Sequence, residues 1–168
     1  MGGRHGGRSR AARREDGLAA VRERLQGYAD RGVFRGFSEE PTRGGRHRFK
    51  FLWLNTTFVL SYAPATGALV FRDLLPNVPA RSSVGIALRS FVKSRAGRDV
   101  PDHRRIDPRR AAVHGYVRSG AFSAVITAKK NHHGYGVHRA VNLIQEIFVQ
   151  LHAYFPEYMV ENFDAPQE

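Results

Sequence analysis

Apolar positions recur with two periods along the chain. Leu18, Val21, Leu25 and Tyr28 follow at steps of three, four and three, the spacing of one helical face. Asp16 is placed to cap that helix and Gly32 to end it. Residues 33–39 read as a short strand, and 40–45 as a polar turn with two adjacent glycines. The period then drops to two: Phe49, Phe51 and Trp53 alternate with Arg48, Lys50 and Leu52. A tight turn at Asn55-Thr56 leads to a strand carrying Phe58, Leu60 and Tyr62. A turn over 63–67 leads to another strand over 68–73. Short loops of this kind favour an antiparallel meander.

Two prolines break the pattern over 74–79, and Pro79 sits where a first-turn proline would open a helix. Val84, Leu88, Phe91 and Val92 form the apolar stripe of that second helix. Residues 94–110 read as a charged linker kept from helix by Gly97, Pro101 and Pro108. Residues 111–118 and 121–129 form two strands joined at Ser119-Gly120, a hairpin signal. From near Tyr135, Val137, Val141, Ile144, Phe148, Leu151 and Phe155 step by four and three. This stripe suits a core helix on a sheet, or a dimer seam. Pro156 interrupts it.

These elements define an α+β domain with the order α-β-β-β-α-β-β-α. An antiparallel sheet of about five strands carries helices on one face. The expected layout is a disordered basic tail over 1–15, one domain over 16–163 and a short tail over 164–168.

Composition adds three bounds. With 168 residues and 42% hydrophobic content the chain holds a core of its own. The absence of cysteine excludes disulfides, thiolate zinc sites and cysteine nucleophiles. No apolar run approaches the ~20 residues of a bilayer span. The first residues have no apolar signal region, so the expected location is the cytoplasm.

Charge is the strongest deviation. The formal net charge is +12, and 23 of the 27 basic residues are arginine. It is uneven: residues 131–168 carry a net −4 and residues 1–130 a net +16. Such a field favours acidic partners.

The chemistry-bearing stretch is Lys129-Lys130-Asn-His132-His133-Gly-Tyr-Gly-Val-His138, two lysines and three histidines ahead of a helix. Cationic side chains, free main-chain N–H groups and a helix dipole there suit an anion. A metal is less well served. His132 and His133 are adjacent and no carboxylate lies nearby in sequence, so neither a metal nor another cofactor is expected. A polar hairpin leading into a helix is the alternative without a ligand. No GxGxxG, P-loop or GxSxG motif is present, and no catalytic residue is assigned. Arg46, Arg48, Lys50, Arg89, Lys93, Arg104, Arg105, Arg109 and Arg110 form the basic surface available to phosphates.

The meander from Phe49 to Phe71, the hairpin at Ser119-Gly120 and the terminal AVNLIQEIFVQLHAYF resemble, as an element order over 16–163, the type III secretion chaperones and YbjN-like domains. The resemblance implies a twisted antiparallel sheet with helices on one face and partner segments bound at exposed sheet or helix surfaces. One departure stands out: those chaperones resemble small acidic dimers, whereas this chain is basic. The leading expectation is a non-enzymatic binding or adaptor module holding an acidic protein partner in an apolar groove or on a sheet edge, with a homodimer through the last helix. A nucleic-acid-binding protein is the second expectation, and a small enzyme with a histidine-rich site the third.

Overall fold

The computed structural model describes residues 9–163. Its elements are α1 (Arg10–Asp30), β1 (Arg35–Pro41), a 3-10 turn (Arg43–Gly45), β2 (His47–Trp53), β3 (Thr56–Ala63), β4 (Ala68–Leu75), α2 (Ser83–Ser94), β5 (Ala111–Arg118), β6 (Ala121–Ala128), α3 (His133–Tyr154) and α4 (Pro156–Asn162). The strands form one sheet in the order β1-β2-β3-β4-β6-β5, every neighbouring pair antiparallel. The fold is α+β, as the periods imply. Four strands precede α2, so the sheet has six members rather than about five.

Helix α1 begins earlier than its apolar stripe. Ser9, not Asp16, is the N-cap, and its Oγ accepts the Ala12 N–H at 3.2 Å. Residues 10–15, expected in a disordered tail, are therefore helical; the expectations for 1–8 and 164–168 lie outside the described residues. At the other end Gly32 adopts φ +73°, a conformation glycine takes without a Cβ penalty. Its N–H bonds Ala29 O at 3.0 Å, and Val33 N–H bonds Tyr28 O at 2.9 Å, closing the helix in a Schellman turn.

Helix α2 also departs from expectation. Its cap is Ser82, whose Oγ accepts the Gly85 N–H at 3.1 Å and donates to Pro79 O at 2.6 Å. Pro79 thus orients the cap from outside the helix.

The core lies between the helices and one sheet face. Phe49, Phe51, Phe58, Leu60, Tyr62, Leu69 and Ile126 face inward and meet Val137, Val141, Ile144, Phe148 and Leu151 of α3. Phe34 stacks on Phe51 at 4.2 Å between centroids, and Phe58 meets Phe148 edge-on at 5.9 Å. The α3 stripe is buried within the protomer and is not free to serve as a seam between copies. Val149 and Tyr154 are the large apolar side chains α3 leaves exposed.

In β4 the register breaks between Phe71 and Leu75, where Asp73 takes φ +52°. The displaced Asp73 N–H is satisfied by buried Ser123 Oγ at 2.9 Å.

The charged linker over 94–110 is an anchored loop. Val100 and Ile106 are buried, and Ile106 N–H bonds Arg95 O at 2.9 Å. Buried Arg139 reaches out of α3 to His103 O at 2.5 Å. Tyr135 Oη accepts the Asp107 N–H at 2.9 Å and donates to Arg105 O at 3.2 Å.

The second sheet face is bare of helices and exposes Arg48, Lys50, Leu52, Val59, Arg72, His114 and Arg118. The two edges differ. On β1 the register shifts between Arg35 and Ser38, Gly36 has φ +63°, and Pro41 ends the strand, all features that blunt an edge. β5 runs in unbroken register. Lys129 N–H bonds Arg110 O at 2.8 Å, which fixes the alternation. The main-chain groups of Ala112, His114 and Tyr116 face β6, and those of Val113, Gly115 and Val117 face outward.

Candidate functional site at the basic end of the sheet

Antiparallel pairing gathers the C-terminal ends of β1, β3 and β6 and the N-terminal ends of β2, β4 and β5 at one end of the sheet. The connections there carry Arg43 and Arg46 between β1 and β2, Arg109 and Arg110 ahead of β5, and Lys129 and Lys130 between β6 and α3. Helix α1 extends over the same end, because Gly17 lies against Tyr62 and His133. Seven residues precede Gly17 in the helix, about 10 Å at 1.5 Å per residue.

Between this overhang and the start of α3 is a cleft of about 780 Å³. Arg10, Arg13 and Arg14 line it from α1, Lys130 and His133 from the opposite wall, and Pro64, Ala65 and Thr66 from the β3–β4 turn. Asp16 is the carboxylate that lines it. Gly136 N–H is the first to bond back into α3, to His132 O at 2.8 Å. The N–H groups of His133, Gly134 and Tyr135 therefore have no acceptor within the helix, and the positive end of the dipole faces the cleft. His132, the N-cap residue, makes no side-chain cap bond.

The floor of the cleft is a tight junction. Tyr62 Oη lies 2.5 Å from His133 Nδ1. Burial pushes the His133 pKa down, with His132 adding to the effect, and pushes the Tyr62 hydroxyl up. The imidazole is thus held neutral, and one hydrogen bond joins it to the Tyr62 hydroxyl. A Cβ on Gly17 would sit 2.5 Å from His133 Nδ1 and 2.6 Å from Tyr62 Oη, and one on Gly67 would collide with the Ala128 carbonyl. A Cβ on Gly136 would meet Ala128 Cβ at 2.7 Å. These glycines let α1, the β3–β4 turn and α3 close on the same point.

The histidine-rich stretch does not act as one unit. Lys130 and His133 line the cleft, Lys129 is exposed beside it, and His132 is half-buried at the cap. His138 faces α1, where its Nδ1 lies 2.5 Å from Tyr28 Oη. Burial lowers its pKa first, and Arg24, Arg139 and Arg31 lower it further. Among the described residues no cluster of three or more His, Cys, Asp or Glu could hold a metal.

The basic surface also divides. Arg46, Arg104 and Arg109 are exposed, as are Arg48 and Lys50 on the bare face and Lys93 on α2. Arg89 is tied to Ala80 O at 2.7 Å and Gly85 O at 3.3 Å near the opposite end of the sheet. Arg105 Nε donates to Ala96 O at 3.1 Å. Arg110 lies over the Tyr135 ring and 3.9 Å from Asp107. Arg89 and Arg105 therefore fasten loops, and these cations do not form one continuous surface.

Sequence reading missed Arg10, Arg13, Arg14, Thr66, Tyr62 and Gly17. A usable signal for the arginines existed: Ser9 precedes Arg-Ala-Ala-Arg-Arg, a cap followed by strong helix formers. Comparison of the chain with models of known protein families, with curated proteins and with solved structures finds no match.

Proposed function

We propose that this protein is a binding module, not an enzyme, that holds an acidic protein partner at the basic end of its sheet. The observation that carries this reading is the gathering of cations from α1, the β1–β2 turn, the loop before β5 and the β6–α3 turn at one end of the sheet, where those of α1 and Lys130 line an open cleft. Among the described residues, Arg10, Arg13, Arg14, Lys129 and Lys130 have no ion-pair partner. Their field favours an acidic partner.

Two features favour protein over nucleic acid. The phenylalanines are turned into the core, and the bare face offers only His114 and Tyr116 as neighbouring rings, so it lacks an extended stacking platform. The outer edge of β5, in unbroken register with β6, starts beside Arg109 and Arg110 and can accept an extended segment by main-chain pairing.

The test is fluorescence anisotropy of a labelled Glu-rich peptide and a labelled oligonucleotide of similar charge, titrated with the whole protein from low to physiological salt. The expected result is saturable peptide binding that weakens with salt and on Lys129→Ser with Lys130→Ser. Tighter binding of the oligonucleotide, with a salt slope of several phosphates, or no binding of the peptide, refutes it.

A further inference from the structure

We propose that the cleft between the first turns of α1 and the start of α3 is a binding site for a phosphate monoester. The inference rests on reading the basic end as the partner-facing surface, and it names the group that enters it.

The cleft's size, about 780 Å³, falls within the range of small-ligand sites. Arg10, Arg13 and Arg14 stand at i, i+3 and i+4, so one face of α1 presents three guanidiniums to the same space. Lys130 faces them from the far wall. Among the described residues that line the cleft, four cations stand against one carboxylate, Asp16, a net charge of +3. One carboxylate ligand would offset a third of that. A phosphate monoester brings about −1.5 to −2 charges and three acceptor oxygens, enough to engage several arginine forks together. The free N–H groups at the start of α3 add donors at the same wall. The Thr66 hydroxyl accepts the Ala68 N–H at 3.3 Å and keeps its own proton to donate. Pro64 and Ala65 line the same cleft as an apolar surface for the organic remainder of the ester. The phosphate comes either from a phosphorylated side chain of a protein partner or from a free small ester such as a nucleotide.

The test uses the whole ¹⁵N-labelled protein with four probes: phenyl phosphate, adenosine monophosphate, and a Glu-rich peptide with and without one phosphoserine. Phenyl phosphate is expected to shift the amides of Lys130, His133, Gly134 and Tyr135 and to saturate. Arg13→Gln with Lys130→Gln, changes that keep much of the side-chain length, should weaken it at least about tenfold. Arg118→Gln, exposed at the opposite end of the sheet, should leave it unchanged. A phosphoserine peptide at least about tenfold tighter than its unphosphorylated form assigns the source to a protein partner. Adenosine monophosphate tighter than that peptide assigns it to a small ester. Shifts spread over the surface cations without saturation, or full affinity in the double variant, overturn the site. If the unphosphorylated peptide still binds in that event, the acidic-partner reading stands; if it does not, both fall.

Discussion

Gly17→Ala and Gly27→Ala make the same chemical change in the same helix and should move stability in opposite directions. Inside an exposed helix the exchange favours alanine by up to about 1 kcal/mol. At Gly27 nothing opposes this, since the nearest atom to the new methyl is the flexible end of Arg31 at 3.4 Å. At Gly17 the methyl would sit 2.5 Å from His133 Nδ1 and 2.6 Å from Tyr62 Oη. Neither ring can easily retreat: Tyr62 is fully buried, and His133 is held from the other side by Gly67 and the end of β6. Overpacking costs about 1–3 kcal/mol, and separating Tyr62 from His133 forfeits about 0.5–1.5 kcal/mol. After the gain in helix propensity, Gly17→Ala should be less stable than the native protein by about 2 kcal/mol. Urea unfolding followed by circular dichroism measures both variants, at slopes that should match the native one. A midpoint for Gly17→Ala equal to or above that of Gly27→Ala would refute the packed junction.

Ser123→Ala removes the acceptor of the Asp73 N–H at the β4 irregularity and leaves that half-buried group without its side-chain partner. The expected loss is about 1–3 kcal/mol, read from thermal unfolding, and a change within error would show that water or another group satisfies the site. Stability should also fall on the acid side in two stages. His133 and His138 have folded pKa values below the ordinary 6.5, so the unfolded chain takes up protons first as pH falls below about 6.5. The stability they contribute is fully present above that value and is lost down to their folded values. Glu39, held below 4.5 by its hydrogen bond from Arg22, adds a second loss as pH drops through the carboxylate range. Urea midpoints across pH that rise between 6.5 and 5.5 would contradict the buried neutral histidines.

The sequence made the fold readable where one physical signal dominated. Phe49, Phe51, Phe58 and Leu60 alternate because one sheet face is buried, and the α3 stripe recurs because that helix lies on the sheet. The start of α1 was harder to read for the opposite reason: Arg10, Arg13, Arg14 and Asp16 line an open cleft, so the apolar stripe does not extend through them and only the Ser9 cap signals the helix. Local sequence also could not say that His133 and His138 part company. Their partners Tyr62 and Tyr28 lie 71 and 110 residues away. Pro79 misled because a proline near a helix start is compatible with two positions, and only Ser82 decides between them. The arginines of the loop before β5 looked alike in sequence. The carbonyl of Ala96 holds Arg105, the Tyr135 ring accompanies Arg110, and Arg104 is left at the surface.

The meeting of Gly17, Tyr62, Gly67 and His133 has a kinetic corollary. Early, middle and late parts of the chain all contribute to it, so the loop-closure entropy of most of the domain must be met before it forms. The arginines of α1 can be helical sooner, yet they have no opposite wall until α3 docks. Occupancy of the cleft therefore reports a completed tertiary structure, and any ligand held there ties the two ends of the domain together by mass action.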